Sequence, residues 1–114
     1  IDFSAKSFEE ALQNFKDAWV SDMIIPLFGN ALDILPTLTE TYDFIFIDGM
    51  MRRTKDFLEL TYNKLESWGT IIIDDVIKFK SKMVWLYEYL EKNNIKYDIL
   101  QIDSDDGIMI IEKD

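Results

Sequence analysis

Three acidic residues close two apolar runs. Phe44-Ile45-Phe46-Ile47 stops at Asp48-Gly49, and Ile71-Ile72-Ile73 stops at Asp74-Asp75. Wholly apolar runs of this length read as strands buried on both faces of a parallel sheet. In open α/β sheets, ligands gather beyond the carboxyl ends of such strands. If these two are neighbours, the three carboxylates converge, and like charges held that close raise one another's pKa unless a cation intervenes. Hard oxygen donors suit Mg²⁺ or Ca²⁺ over zinc or copper. Asp48, Asp74 and Asp75 are therefore candidate metal ligands. The plainer alternative is that Asp and Gly merely punctuate strand ends.

Other residues could do chemistry with less insistence. Gly29-Asn30-Ala31 ends an earlier apolar run and opens a helix. A small residue there lets a ligand approach the backbone, and the Asn30 amide can donate to and accept from an adenine edge; a tight turn explains the same residues. Asp2, if it ends a strand, could accept hydrogen bonds from ribose hydroxyls. Arg52, Arg53 and Lys55 follow the Asp48 strand end, where they could hold an anionic substrate or polarise a hydroxyl, or simply form a solvated first helical turn. Trp19, Trp68 and Trp85 could line a pocket, although Trp85 falls beside an inner helix face. Asp103, Asp105 and Asp106 lack the spacing and terminal Glu of an EF-hand and read as a solvated hairpin turn.

Composition removes whole classes of function. The 114 residues include no cysteine and no histidine, which excludes disulfides, zinc-thiolate sites and thiol- or histidine-based nucleophilic catalysis within the chain. Acids outnumber bases 22 to 12, and a net charge of −10 repels phosphate backbones. No apolar run approaches the roughly 20 residues that span a bilayer. The expectation is a cytoplasmic chain of one domain, 1–114, with no membrane partner. Its start at Ile1, without an initiator methionine, suggests a piece of something longer.

The elements that must position these residues alternate in period. Ala5, Phe8, Ala11, Leu12, Phe15 and Trp19 have helical spacing, with Ser4 or Ser7 as N-cap. Met23–Phe28 is strand-like, its Pro26 pointing to an edge or a strand end, and a short helix is expected over Ala31–Leu38, limited by Pro36. After the strand ending at Asp48, Phe57, Leu58, Thr61, Tyr62 and Leu65 mark a helix, with Gly69 closing the connection. Beyond Asp75, Phe79, Met83, Leu86, Tyr87 and Leu90 mark another, ended by Asn93-Asn94. Strands near Ile95–Ile102 and Gly107–Glu112 are joined too tightly to be anything but antiparallel. The sum is an α/β fold, a mostly parallel sheet closed by an antiparallel hairpin.

Tyr42-Asp43-Phe44-Ile45-Phe46-Ile47-Asp48-Gly49 and Leu65-Glu66-Ser67-Trp68-Gly69-Thr70-Ile71-Ile72-Ile73-Asp74-Asp75-Val76 resemble the cation-dependent, S-adenosylmethionine-using O-methyltransferases of the catechol and caffeoyl-coenzyme A type. The resemblance extends over nearly the whole chain. Ile1-Asp2 is similar to the end of that family's second strand, Ala11–Phe15 to a helix motif, Gly29-Asn30-Ala31 to its adenine-contacting turn, and Asp105-Asp106-Gly107-Ile108 to the segment before its final strand. It implies a Rossmann-like methyltransferase fold, S-adenosylmethionine as cofactor, and Asp48, Asp74 and Asp75 at the metal-ligand positions. It further implies Asp2 at the ribose, Asn30 and Ala31 flanking adenine, and Asp48 serving both cofactor and catalysis.

Departures from the family pattern bear on the chemistry. Asp75 stands where the family has Asn, which makes the site more negative. Met51 stands where it has a lysine used as base or electrostatic partner, so Arg52 or Lys55 takes that place, or the cation acts alone. The four glycines, Gly29, Gly49, Gly69 and Gly107, form no glycine-rich cofactor loop, which in the family follows a first strand absent here. The chain is thus expected to be the C-terminal two-thirds of a methyltransferase domain, poor at binding cofactor alone. The expected acceptor is a small hydroxylated molecule, ahead of a hydroxylated tRNA base given the acidic charge, with a homodimer as the candidate assembly. Rival readings are a non-catalytic interaction module and a response-regulator-like phosphoacceptor domain.

Overall fold

The computed structural model describes all residues 1–114 and divides into two compact units, Ile1–Leu38 and Thr39–Asp114. In the first unit, helix α1 (Ala5–Asp17) is capped by Ser4, whose hydroxyl accepts the Ser7 amide at 3.3 Å. The Phe8 ring meets Phe28 edge-on at 5.3 Å. Helix α2 (Ala31–Ile34) is one turn long and tightens into a 3₁₀ turn over Leu35–Thr37. Pro36, without an N–H, cannot continue the α-helical ladder.

The expected strand at Met23–Phe28 does not form. Ser21–Met23 is a 3₁₀ turn, and only Phe28 pairs, in a single parallel bridge to Asp2. Met23 and Ile25 are exposed, and Pro26 offers no amide. A strand is a pairing, and too few partner residues run alongside this segment to make one.

The second unit carries a four-stranded sheet in the order β1-β2-β4-β3. β1 (Tyr42–Ile47) and β2 (Leu65–Ile73) run parallel, connected by a 3₁₀ turn at Met51–Arg53 and helix α3 (Thr54–Tyr62). Helix α4 (Val84–Lys92) follows β2, and the hairpin of β3 (Asp98–Gln101) and β4 (Gly107–Glu112) closes the sheet antiparallel, as expected. Asn94, at φ 53°, takes the left-handed conformation that ends α4. Phe57 and Leu58 of α3, Leu86 and Leu90 of α4, Ile71 and Ile73 of β2, and Met109 and Ile111 of β4 are all buried. Period 2 in the strands and period 3 to 4 in the helices thus converge on one core.

Two expectations change. Leu65 does not extend α3; it opens β2 opposite Tyr42, and a bulge intervenes before Phe44 pairs with Thr70. Lys113 fixes this corner, its ammonium donating to the Tyr62 and Leu65 carbonyls. Nor is β1 buried on both faces. It is the outermost strand of this sheet, and Phe44 and Phe46 are 55% and 54% exposed while Ile47 is buried.

Candidate functional site

Register brings the acids together. Ile47 pairs with Ile73 across the parallel ladder, and the Asp74 amide donates to the Ile47 carbonyl at 3.1 Å. Asp48 and Asp74 therefore leave neighbouring strands at the same level, with Asp75 one residue on. One carboxylate oxygen from each of Asp48, Asp74 and Asp75 lies within 4.8 Å of the others. Asp48 is exposed and the other two are half-buried.

The cluster is crowded and locally braced. Asp74 Oδ1 accepts the Asp75 amide at 2.8 Å. Asp75 itself sits at φ 61°, in the left-handed region that residues with a Cβ rarely adopt. Burial, a hydrogen bond shared with the Asp106 carboxyl, and the charges of Asp74, Asp106 and Asp48 push Asp75 up to about 6. Burial also works to raise Asp106, yet the amides of Gly107, Lys78 and Ile77 outweigh it and hold that carboxyl below the ordinary range. Three hard oxygens in this compass, one reluctant to ionise beside its neighbours, fit a hard divalent cation.

Arg52 stands apart from this cluster. It lies on the 3₁₀ turn after β1 and, with Arg53, Lys55, Trp85, Tyr89 and Lys92, lines a groove of about 770 Å³ between α3 and α4. Lys55 is committed there: its ammonium meets Glu59 at 2.7 Å and Asp56 at 3.7 Å. The hydrogen bond to Glu59 raises its pKa above the ordinary value, so it stays charged. Trp19, Trp68 and Trp85 are all exposed, Trp85 being the one in the groove.

In the first unit, the structure brings Asp2 beside the Gly29-Asn30 turn. The Asp2 amide donates to Leu27, its carbonyl accepts from Gly29 at 2.9 Å, and its carboxylate accepts the Ser4 amide. Asn30 Oδ1 caps α2 by accepting from Leu32 at 2.9 Å, so its NH₂ is the group left to offer a ligand. Ala31 begins that helix. Gly29 needs its glycine: at φ 140°, a Cβ would also come within 3.1 Å of Ile34.

Asp106 escaped the sequence reading, which placed it in a solvated turn. Asp103 does serve that turn, accepting the amides of Asp105 and Asp106. Asp106 reaches across to the residues after β2, and no local spacing announces a contact that closes only when the hairpin folds back.

A model of the macrocin O-methyltransferase (TylF) family matches residues 3–109. The chain belongs to that family. Within it, the sheet order and the acids placed after both parallel strands leave no ground for the receiver-like alternative. The catechol O-methyltransferase of Mycobacterium tuberculosis is 29% identical over 79 residues, which are 68% of this chain and 36% of that protein. An O-methyltransferase from Bacillus cereus, solved with SAH, superposes at a TM-score of 0.85 with 23% identity over 97% of this chain and 60% of its own. TomG from Streptomyces achromogenes, solved with SAM, gives 0.87 at 17% identity, over 99% and 60%. The macrocin O-methyltransferase family chain thus has the methyltransferase fold while spanning 36% to 60% of these relatives' lengths.

Proposed function

We propose that this chain supplies the metal and acceptor side of an S-adenosylmethionine-dependent O-methyltransferase, as the C-terminal two-thirds of its catalytic domain. The observation that carries the reading is the set of three carboxylates delivered to the ligand edge by two adjacent parallel strands. Family membership and neighbours solved with SAM or SAH support the cofactor.

Asp48, Asp74 and Asp75 would hold Mg²⁺ or Ca²⁺, which when bound supplies Lewis acidity that eases deprotonation of an acceptor hydroxyl. Asp2 would accept from the ribose hydroxyls, and Asn30 and Ala31 would flank adenine. Methyl transfer would form the O–CH₃ bond as the sulfonium C–S bond breaks, leaving a thioether, with the hydroxyl proton passing to solvent. Protein groups contribute mainly by holding oxygen and methyl in line. Met51 cannot take that proton, because a thioether is not a useful base, and Arg52, which lines the α3–α4 groove and not the acidic cluster, has no part in the transfer. The acceptor is a small hydroxylated molecule; an acidic surface disfavours tRNA.

The test is transfer of isotope-labelled methyl from S-adenosylmethionine to catechol-type and sugar hydroxyl acceptors by the full-length protein, with Mg²⁺ or with chelator. Labelled product that disappears on chelation is the expected result. Cofactor binding with no transfer to any acceptor would favour the interaction module instead.

A further inference from the structure

The residues that follow Asp75 are held by groups distant in sequence. Asp106 Oδ1 accepts three backbone amides, from Gly107 at 2.7 Å, Ile77 at 3.1 Å and Lys78 at 3.2 Å. The Val76 amide donates to the Gly107 carbonyl at 3.2 Å, and the Tyr87 hydroxyl donates to the Val76 carbonyl at 3.0 Å. Val76 is fully buried. Gly107 permits this docking, since a Cβ there would come within 2.5 Å of the Leu100 carbonyl and 2.8 Å of Ile77.

These contacts fall where the backbone is strained. A left-handed residue that carries a Cβ is held there by its surroundings. On its N-terminal side the ladder to Ile47 fixes Asp74. On its C-terminal side the fixing comes from the β3–β4 hairpin, through Asp106 above all, because one carboxylate oxygen gathers two successive amides of the exit segment.

We infer that Asp106 is a positioning residue for the acidic cluster: by clamping the Ile77 and Lys78 amides it locks Asp75 in the left-handed conformation that presents its carboxylate beside Asp74 and Asp48. The inference rests on the cation site proposed above. It assigns Asp106 no contact with cation, cofactor or acceptor; Asp106 acts through the two amides beyond Asp75 and through the hydrogen bond that its carboxyl shares with Asp75, which makes the turn of the distal hairpin part of the site's support.

Position and charge are separable in the test. Asp106→Asn keeps an oxygen at the same reach and loses the charge; Asp106→Glu keeps the charge and displaces the oxygen by one methylene; Asp106→Ala removes both. Titration calorimetry with MnCl₂ alone reads the affinity, and thermal unfolding reads the fold. Loss of a group that orients a ligand residue weakens metal affinity by about 10- to 100-fold. Asp106→Glu is expected to show that loss while remaining folded, and Asp106→Asn to stay within about threefold of wild type, less than such a loss. If Asp106→Ala fails to fold, the Asn and Glu variants still decide. Wild-type affinity in Asp106→Glu, or equal damage in Asp106→Asn, would overturn the inference. Should the wild type take up no Mn²⁺, the cation reading fails separately. The clamp is then judged by the Asp75 three-bond amide–Hα coupling, which must change in Asp106→Glu and stay as wild type in Asp106→Asn; any other pattern overturns it.

Discussion

Asp74 donates its amide to Ile47, the residue just before Asp48, at 3.1 Å. That hydrogen bond continues the β1–β2 ladder one step past its last strand pair and sets the height at which all three acids emerge. The cluster is thus a product of sheet register: a slip of one residue would send the side chains to the opposite face.

Cation binding should stabilise the fold. A ligand at 10 to 100 times its Kd adds roughly 1.4–2.7 kcal/mol, and each kcal/mol moves Tm by roughly 4–8 °C in a domain of about this size. Thermal unfolding with millimolar Mg²⁺ or Ca²⁺ against chelator checks this. Asp48→Asn and Asp74→Asn should each abolish most of the difference; an equal shift in both variants would show that the ions bind elsewhere.

The pH dependence of the ion-free protein has a definite sign. Asp75 is raised from 3.8 to about 6, so the folded state binds the extra proton within that window and stability falls as pH rises through it. Asp103 and Asp106 are lowered, so their contribution is present above the ordinary carboxylate value and is lost as pH falls through their folded values. Circular-dichroism melts from pH 3 to about 7, spanning both windows, should show Asp75→Asn removing the decline between 3.8 and 6. Cation affinity should rise across the same interval, since binding must displace that proton.

Within the core, Leu86→Ala should cost about 2–5 kcal/mol, because the side chain is fully buried. Urea denaturation reads this as a lower midpoint at unchanged slope.

Gly107→Ala should destabilise the hairpin corner by roughly 1–3 kcal/mol. The added methyl meets the Leu100 carbonyl, a backbone atom that cannot swing away. A midpoint equal to wild type would mean that the hairpin can shift to admit a methyl there.

Much of this was visible in the chain before folding. Ile47-Asp48 and Ile73-Asp74-Asp75 announced two strand ends at a ligand edge because the apolar runs are short, unbroken and stopped by acids. What stayed hidden depended on partners. Met23–Phe28 has strand composition yet bridges only at Phe28, since pairing needs a neighbour that composition cannot supply. Leu65 keeps helical spacing with Tyr62 and Thr61, but the ladder to Tyr42 claims it. The role of Asp106 lies in a contact with Ile77, 29 residues back, that exists only after the hairpin docks.

The outer margin of β1 has a practical consequence. An outermost strand displaying two phenylalanines offers other molecules both unpaired backbone and an oily strip, the combination that nucleates strand-to-strand association. Produced by itself, the stretch 1–114 should therefore be prone to clump through Phe44 and Phe46, and replacing either with lysine should keep that polypeptide dispersed.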